Sequence, residues 1–172
     1  MPDSGRMKRG EALCRLTVRL TRAQLEQMVA QAREEAPNEC CGLLLGTGDA
    51  VAHVLRARNK AAELPQPRDP RRYYHVDDEA QLEAMRLERE RGWEIVGIYH
   101  SHPATPAHPS ATDRMLALWQ SPCYVIISLA NPARVDVRAF RITDRVDGNG
   151  TVAMDENRQP IRDVMEEEVV VT

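Results

Sequence analysis

The chain is poor in aromatic side chains. Its 172 residues include 2 Trp, 4 Tyr and 1 Phe, too few for a surface that reads single-stranded nucleic acid by stacking. An excess of positive charge is also missing. The 23 Lys+Arg stand against 26 Asp+Glu, a net charge of −3, and such a balance cannot neutralise a row of phosphates. No apolar run approaches the roughly 18 residues of a membrane span. The polar, basic stretch Met1 to Gly10 is not followed by the apolar segment of a secretion signal. Cysteines stand at 14, 40, 41 and 123 with no C-x-x-C spacing, and a bridge between the adjacent Cys40 and Cys41 would be strained. Reduced thiols in a cytoplasmic protein are therefore expected. The length suits one domain with a real core, and 42% hydrophobic with 28% charged residues fits a soluble globular chain.

Periodicity places the elements. Residues 1–11 read as a mobile tail. Leu13 to Leu20 alternates, with Leu16, Val18 and Leu20 on one face, as in a half-buried strand. Thr21 and Gln24 have the spacing of a capping box, and Leu25, Met28, Val29 and Ala32 continue at helical spacing to about Glu35 before Pro37. Gly42–Gly46 and Val51–Arg56 read as strands joined by a hairpin at Gly48. Residues 57–72 hold Pro65, Pro67 and Pro70 and read as a long loop. A helix capped by Asp77 or Asp78 should run to Arg91 and stop at Gly92. Trp93–Tyr99 reads as a central strand, Ser110–Gln120 as a helix, and Cys123–Leu129 and Val135–Ile142 as paired strands. The pattern predicts a single α/β or α+β domain over 12–143 with a mixed sheet. Residues 144–172 read as an extension packed on the domain or trailing it.

The chemistry concentrates in one stretch. His100 and His102 lie at i, i+2 on a strand that also carries Val96 and Ile98 on the same face. Two imidazoles leaving one strand on one side can reach one metal ion. Asp113, at the start of the next helix, can supply a third ligand. Two His and one carboxylate leave a tetrahedral ion with an open position, the catalytic rather than the structural arrangement. Such an ion lowers the pKa of bound water towards ~7, and a carboxylate must then move the proton. Glu39, between the Pro37 stop and an apolar strand, is the best-held candidate.

The run Glu39-Cys40-Cys41-Gly42, with His100-Ser101-His102, seven residues, Ser110, two residues and Asp113, resembles the JAMM (MPN+) metalloprotease motif. The resemblance extends from about Val18 to Ile142. It looks most like the bacterial branch acting on ubiquitin-like sulfur-carrier proteins. The resemblance implies an MPN fold, a cytidine-deaminase-like α/β/α sandwich around a mixed sheet. It implies one Zn²⁺ on His100, His102 and Asp113, Glu39 as general base and acid, and Ser110 as donor to the oxyanion. The partner it implies is a carrier protein ending in Gly-Gly, cleaved to release cysteine or a conjugated amine. Deamination is not implied, because Pro122-Cys123 is followed by Tyr124, Val125 and Ile126 rather than by the second cysteine of that signature.

Blander readings accompany each residue. Ser110 and Asp113 also form a capping box by themselves. Cys40 and Cys41 suit small core positions. Tyr73 and Tyr74, with the 57–72 loop, suit either a groove wall or an ordinary surface loop. His108 suits an exposed loop or a substrate contact. Alternatives for the whole chain are a non-catalytic module binding ubiquitin-like tails and a metallohydrolase of an unrelated small amide. A homodimer is possible on this reading, and neither nucleic acid nor membrane is an expected partner.

Overall fold

The computed structural model describes residues 17–117, 122–131 and 133–172. The expected tail over 1–11, Cys14, residues 13–16 of the first strand and Trp119 lie outside the described residues. In chain order the elements are β1 (Thr17–Leu20), α1 (Arg22–Glu35), β2 (Cys41–Thr47), β3 (Ala50–Ala57), α2 (Asp78–Arg91), β4 (Glu94–His102), α3 (Ala111–Leu116), β5 (Cys123–Ser128), β6 (Asp136–Asp144) and β7 (Arg162–Val171). A single 3₁₀ turn, Ala61–Glu63, interrupts the long loop.

The local signals act as their chemistry dictates. Thr21 Oγ1 accepts from Gln24 N at 3.2 Å while Gln24 Oε1 accepts from Thr21 N at 2.8 Å, which closes the capping box of α1. Asp77 caps α2 by accepting from Ala80 N at 2.9 Å. Gly92 ends that helix in the left-handed region, φ 69°, where a side chain would be strained.

The sheet is mixed, in the order β1-β3-β2-β4-β5-β6-β7. β4 and β5 run parallel, and the β2–β3, β2–β4, β5–β6 and β6–β7 pairs are antiparallel. β7 then pairs parallel with β1, from Thr17↔Glu168 to Leu20↔Val171. β1 meets β3 at Arg19↔Ala50, and the sheet closes on itself. Closure removes the open edge along which an extended segment could add. β3 is further covered from α1, because Gln24 and Gln27 donate to the Val51 and Val54 carbonyls at 3.1 and 3.3 Å.

Alternation along the strands divides the core between two faces. Leu44, Tyr99, Val125 and Ile127 pack with Met28 and Ala32 of α1. Leu43, Leu45, Ile98 and Tyr124 pack with Ala84 and Leu87 of α2. The helices thus lie on opposite faces of one mixed sheet, the layered α/β arrangement that the pattern predicts. β4 runs three residues past the expected Tyr99 boundary, through His102, because β2 and β5 pair with both of its sides there.

A buried polar contact locks α1 to this sheet. Gln31 is fully buried. Its Oε1 accepts from the Tyr99 hydroxyl at 2.6 Å and its Nε2 donates to Cys41 O at 3.0 Å. The Tyr99 ring lies so close over Gly42 that a Cβ there would overlap it, which explains a glycine at the second position of a strand that is buried from Cys41 to Gly46. Tyr99→Phe leaves Gln31 Oε1 buried without that donor. It should lower the unfolding free energy by about 1–3 kcal/mol, read as a shift of the urea midpoint at unchanged slope.

Candidate metal centre

His100 and His102 leave the end of β4 on the α2 face, and Asp113 reaches them from the first turn of α3. His100 Nε2 lies 3.1 Å from His102 Nε2. Asp113 places Oδ1 3.4 Å from His100 Nε2 and Oδ2 3.3 Å from His102 Nε2. A tetrahedral ion with bonds of about 2.0–2.1 Å separates its ligand atoms by about 3.3–3.4 Å. The three donors therefore stand at the corners that one face of such a site requires, and together they could hold a metal ion.

Hydrogen bonds orient His102 and Asp113, whereas His100 Nδ1 is buried with no hydrogen-bond partner among the described residues. His102 Nδ1 hydrogen-bonds the Pro106 carbonyl at 2.9 Å, so the proton belongs on Nδ1 and the Nε2 lone pair faces Asp113 and His100. That carbonyl is held in a pinned loop: Ser128 Oγ donates to Thr105 O at 2.6 Å, and Leu129 N donates to His102 O at 3.0 Å. His100 is stacked on Tyr74, ring centroids 4.4 Å apart and 20° from parallel. Asp113 is the N3 residue of α3. Its Oδ2 accepts from Ser110 N at 2.7 Å, and its own N donates to Ser110 Oγ at 3.1 Å. The capping box and the carboxylate's orientation are thus one device. Because Ser110 Oγ acts as an acceptor there, its O–H stays available to donate elsewhere.

The electrostatics suit a cation. Burial holds the His100 imidazole below its usual range, against the pull of Asp113, and so keeps it neutral. Burial also opposes the charged form of His102, but hydrogen bonds to Asp113 and Pro106 outweigh it and raise that group. Burial disfavours the Asp113 carboxylate too, yet the two imidazoles and Ser110 hold it well below the carboxylate range. A neutral imidazole and an ionised carboxylate are the forms that bind metal.

Glu39 stands at the same place. It is buried, and its Oε2 has no hydrogen-bond partner among the described residues. Burial pushes its carboxyl up to about 8. His102 opposes that rise, while Asp113 and Asp69 add to it. A cation on the three ligands would favour the ionised form and bring this group towards a pKa useful for proton transfer at neutral pH. Its backbone is clamped: Glu39 N donates to Pro70 O at 2.8 Å, and Asn59 Nδ2 donates to Glu39 O at 2.9 Å. One residue on, Cys40 N donates to Ser101 Oγ at 2.8 Å while Ser101 N donates to Cys40 O at 3.1 Å. Ser101, between the two imidazoles, thus ties the Glu39 segment to β4 from the opposite face.

A cleft of about 1100 Å³ opens over this arrangement. Glu39, His102 and Ser110 line it, with Asp69, Arg71 and Arg72 from the long loop. His100 and Asp113 are buried. A second, apolar groove of about 310 Å³ has Leu43, Ile98 and Tyr124 among its lining residues, with Tyr73, Tyr74 and Leu116. The two tyrosines therefore line this groove rather than the cleft. His108 is exposed and turned edge-on to Phe140, centroids 5.5 Å apart, and does not line the cleft. Cys40, Cys41 and Cys123 are free, buried thiols. Asn59 escaped the sequence reading. Its side chain also donates to Tyr73 O at 3.0 Å and accepts from His75 N at 3.1 Å, contacts that no local pattern announces.

A mixed α/β sheet, with three donors that could hold a metal ion at the end of a central strand and a cleft beside a buried carboxyl, defines a protein of the MPN fold class. Residues 21–143 match the family model described as prokaryotic homologs of the JAB domain, and the chain belongs to that family. It is similar to the CysO-cysteine peptidase of Mycobacterium tuberculosis, 38% identical over 117 residues that make up 68% of this chain and 77% of the relative. It is also similar to the desampylase of Haloferax volcanii, 38% identical over 109 residues, 60% of this chain and 74% of the relative. Among solved structures, protein DSY2949 from Desulfitobacterium hafniense superposes with a TM-score of 0.66 at 38% identity, covering 90% of this chain and 92% of that one.

The ligand set and the clamp should separate on mutation. His100→Ala and Asp113→Ala should each bring the metal content of the purified protein from about one ion per chain to near zero. Asn59→Ala should keep the ion while lowering the unfolding free energy by about 1–3 kcal/mol, read by elemental analysis and denaturant unfolding on the same preparations.

Proposed function

We propose that this chain is a zinc-dependent peptidase or isopeptidase that cleaves the bond after the C-terminal Gly-Gly of a ubiquitin-like sulfur-carrier protein. One observation carries the reading: a carboxyl raised to about 8 shares its cleft with one imidazole of a three-donor set spaced at 3.1–3.4 Å. The ligand types favour zinc, since two imidazoles and one carboxylate leave one tetrahedral position open. The two relatives described above bear the names CysO-cysteine peptidase and desampylase, which supports a protein conjugate with a carrier as its acyl half.

His100, His102 and Asp113 would hold the zinc, which would supply Lewis acidity for the attacking water and the scissile carbonyl. The chain's own groups do the rest. Glu39 takes the proton as the water oxygen forms its bond to the carbonyl carbon. The Ser110 hydroxyl donates to the carbonyl oxygen as negative charge develops there, where a positioned donor gains most. Glu39 then gives its proton to the amide nitrogen as the C–N bond breaks, leaving the carrier carboxylate and a free amine. The apolar groove at Tyr73 and Tyr74 takes the extended tail across a sheet face, and glycines suit it because they bring no side chains to fit.

Glu39→Ala should retain its zinc and lose about 10²–10⁴ in turnover of a Gly-Gly-tailed carrier–cysteine adduct. Turnover near the wild-type rate in a zinc-loaded Glu39→Ala protein would sink the assignment of the base.

A further inference from the structure

The wall of the cleft beside Glu39 carries two guanidinium groups for which the hydrolytic step has no use. They belong to the turn 69–72, in which Arg72 N donates to Asp69 O at 3.0 Å and Asp69 Oδ1 accepts from Arg71 N at 3.0 Å. The Glu39 N to Pro70 O hydrogen bond, at 2.8 Å, ties this turn directly to the proton-transfer group. The turn is therefore not a free surface loop, and its position relative to Glu39 is set by the backbone.

The two arginines differ in one respect. Arg71 is committed to Asp69, with Nε and Nη2 donating to its two oxygens at 2.9 and 2.8 Å. Arg72 is exposed and lines the cleft, and among the described residues its guanidinium has neither a hydrogen bond nor an ion pair. Arg71 thus takes both Asp69 oxygens, while Arg72, which feels the Asp69 charge without bonding it, keeps its guanidinium donors available on the cleft lining.

Proton delivery decides which half of the substrate meets this wall. The amide nitrogen must come within reach of Glu39 to be protonated as it leaves, so the leaving group occupies the Glu39 side. In a free α-amino acid, a carboxylate stands one carbon from that nitrogen. In a lysine isopeptide the amine lies at the end of a four-carbon stem, and the lysine's own carboxyl is a backbone amide. We propose that Arg72 is a specificity residue that binds the α-carboxylate of the leaving amino acid. The chain then prefers carriers extended by a free amino acid to carriers joined to lysine side chains. A planar guanidinium matches a carboxylate in a two-point pairing that an ammonium cannot reproduce. This inference rests on the hydrolase reading above.

The test uses zinc-loaded, full-length protein and three substrates: a Gly-Gly-tailed carrier protein extended by cysteine with a free carboxylate, the same carrier extended by cysteine carboxamide, and the same carrier joined to a lysine side chain. Wild type should favour the free acid by about tenfold in kcat/KM, chiefly through KM. Arg72→Gln should bring that ratio close to one, and Arg72→Lys should restore part of it. Equal rates on the two cysteine substrates in wild type would overturn the role of Arg72 and leave the hydrolase reading standing. A variant that slows both of them in proportion would also overturn it, since that is the mark of a structural effect. Cleavage by wild type of a carrier joined to a lysine side chain but of neither cysteine substrate would overturn the role of Arg72 alone, and cleavage of none of the three would overturn both readings together.

Discussion

The pairing of β2 with β4 is the constraint on which the rest depends. In this register Cys41 faces His100 and Gly42 faces Tyr99. Because side chains alternate, a slip of one residue would turn His100 and His102 to the α1 face, away from Asp113. Several contacts hold the register at once. The Tyr99 ring fills the space over Gly42, the Tyr99 hydroxyl reaches Gln31, and Gln31 reaches back to the Cys41 carbonyl. Ser101 continues the pairing beyond the strand by bonding both backbone groups of Cys40. One face of β4 therefore presents the two imidazoles that could hold an ion while the other fixes where Glu39 stands relative to them. Structural and chemical roles alternate residue by residue along Tyr99, His100, Ser101 and His102.

The same economy governs the polar groups. Asp113, the N3 partner of Ser110 in the capping box of α3, faces both imidazoles with one carboxylate, so the start of a short helix also places the third donor. Burial raises Glu39 and lowers His100 for one reason: the site excludes water from one side and disfavours whichever form is charged. A site that penalises charge in this way is balanced by a cation, which neutralises the carboxylates that converge on it. The protein holds these groups ready, at the cost of a buried Glu39 oxygen with no hydrogen-bond partner among the described residues.

Much of this was legible in the chain, for local reasons. Capping at Thr21 and Asp77, the stop at Gly92 and the alternation through His100 and His102 are short-range effects, and short-range pattern shows them. Asp113 was legible because its spacing from Ser110 belongs both to a capping box and to a known motif. Other features depend on contacts between distant residues. Asn59 holds Glu39 from 20 positions away, and Gln31 meets Tyr99 from 68 positions away. The run ending at Val171 gave no sign that it would pair with β1 and close the sheet. Tyr74 stacks on His100 because the loop before α2 folds back over β4, which loop composition does not encode.

The proposed chemistry requires one ion held by two imidazoles and a carboxylate with no thiolate, although Cys40 and Cys41 follow Glu39 in sequence and Cys41 pairs with His100 across the sheet. X-ray absorption at the zinc edge of the purified, zinc-loaded protein reads this directly. Nitrogen and oxygen neighbours at about 2.0–2.1 Å, with imidazole scattering from two rings, are expected. A sulfur shell at about 2.3 Å, or zinc retained unchanged when His100 and His102 are both replaced by alanine, would contradict it.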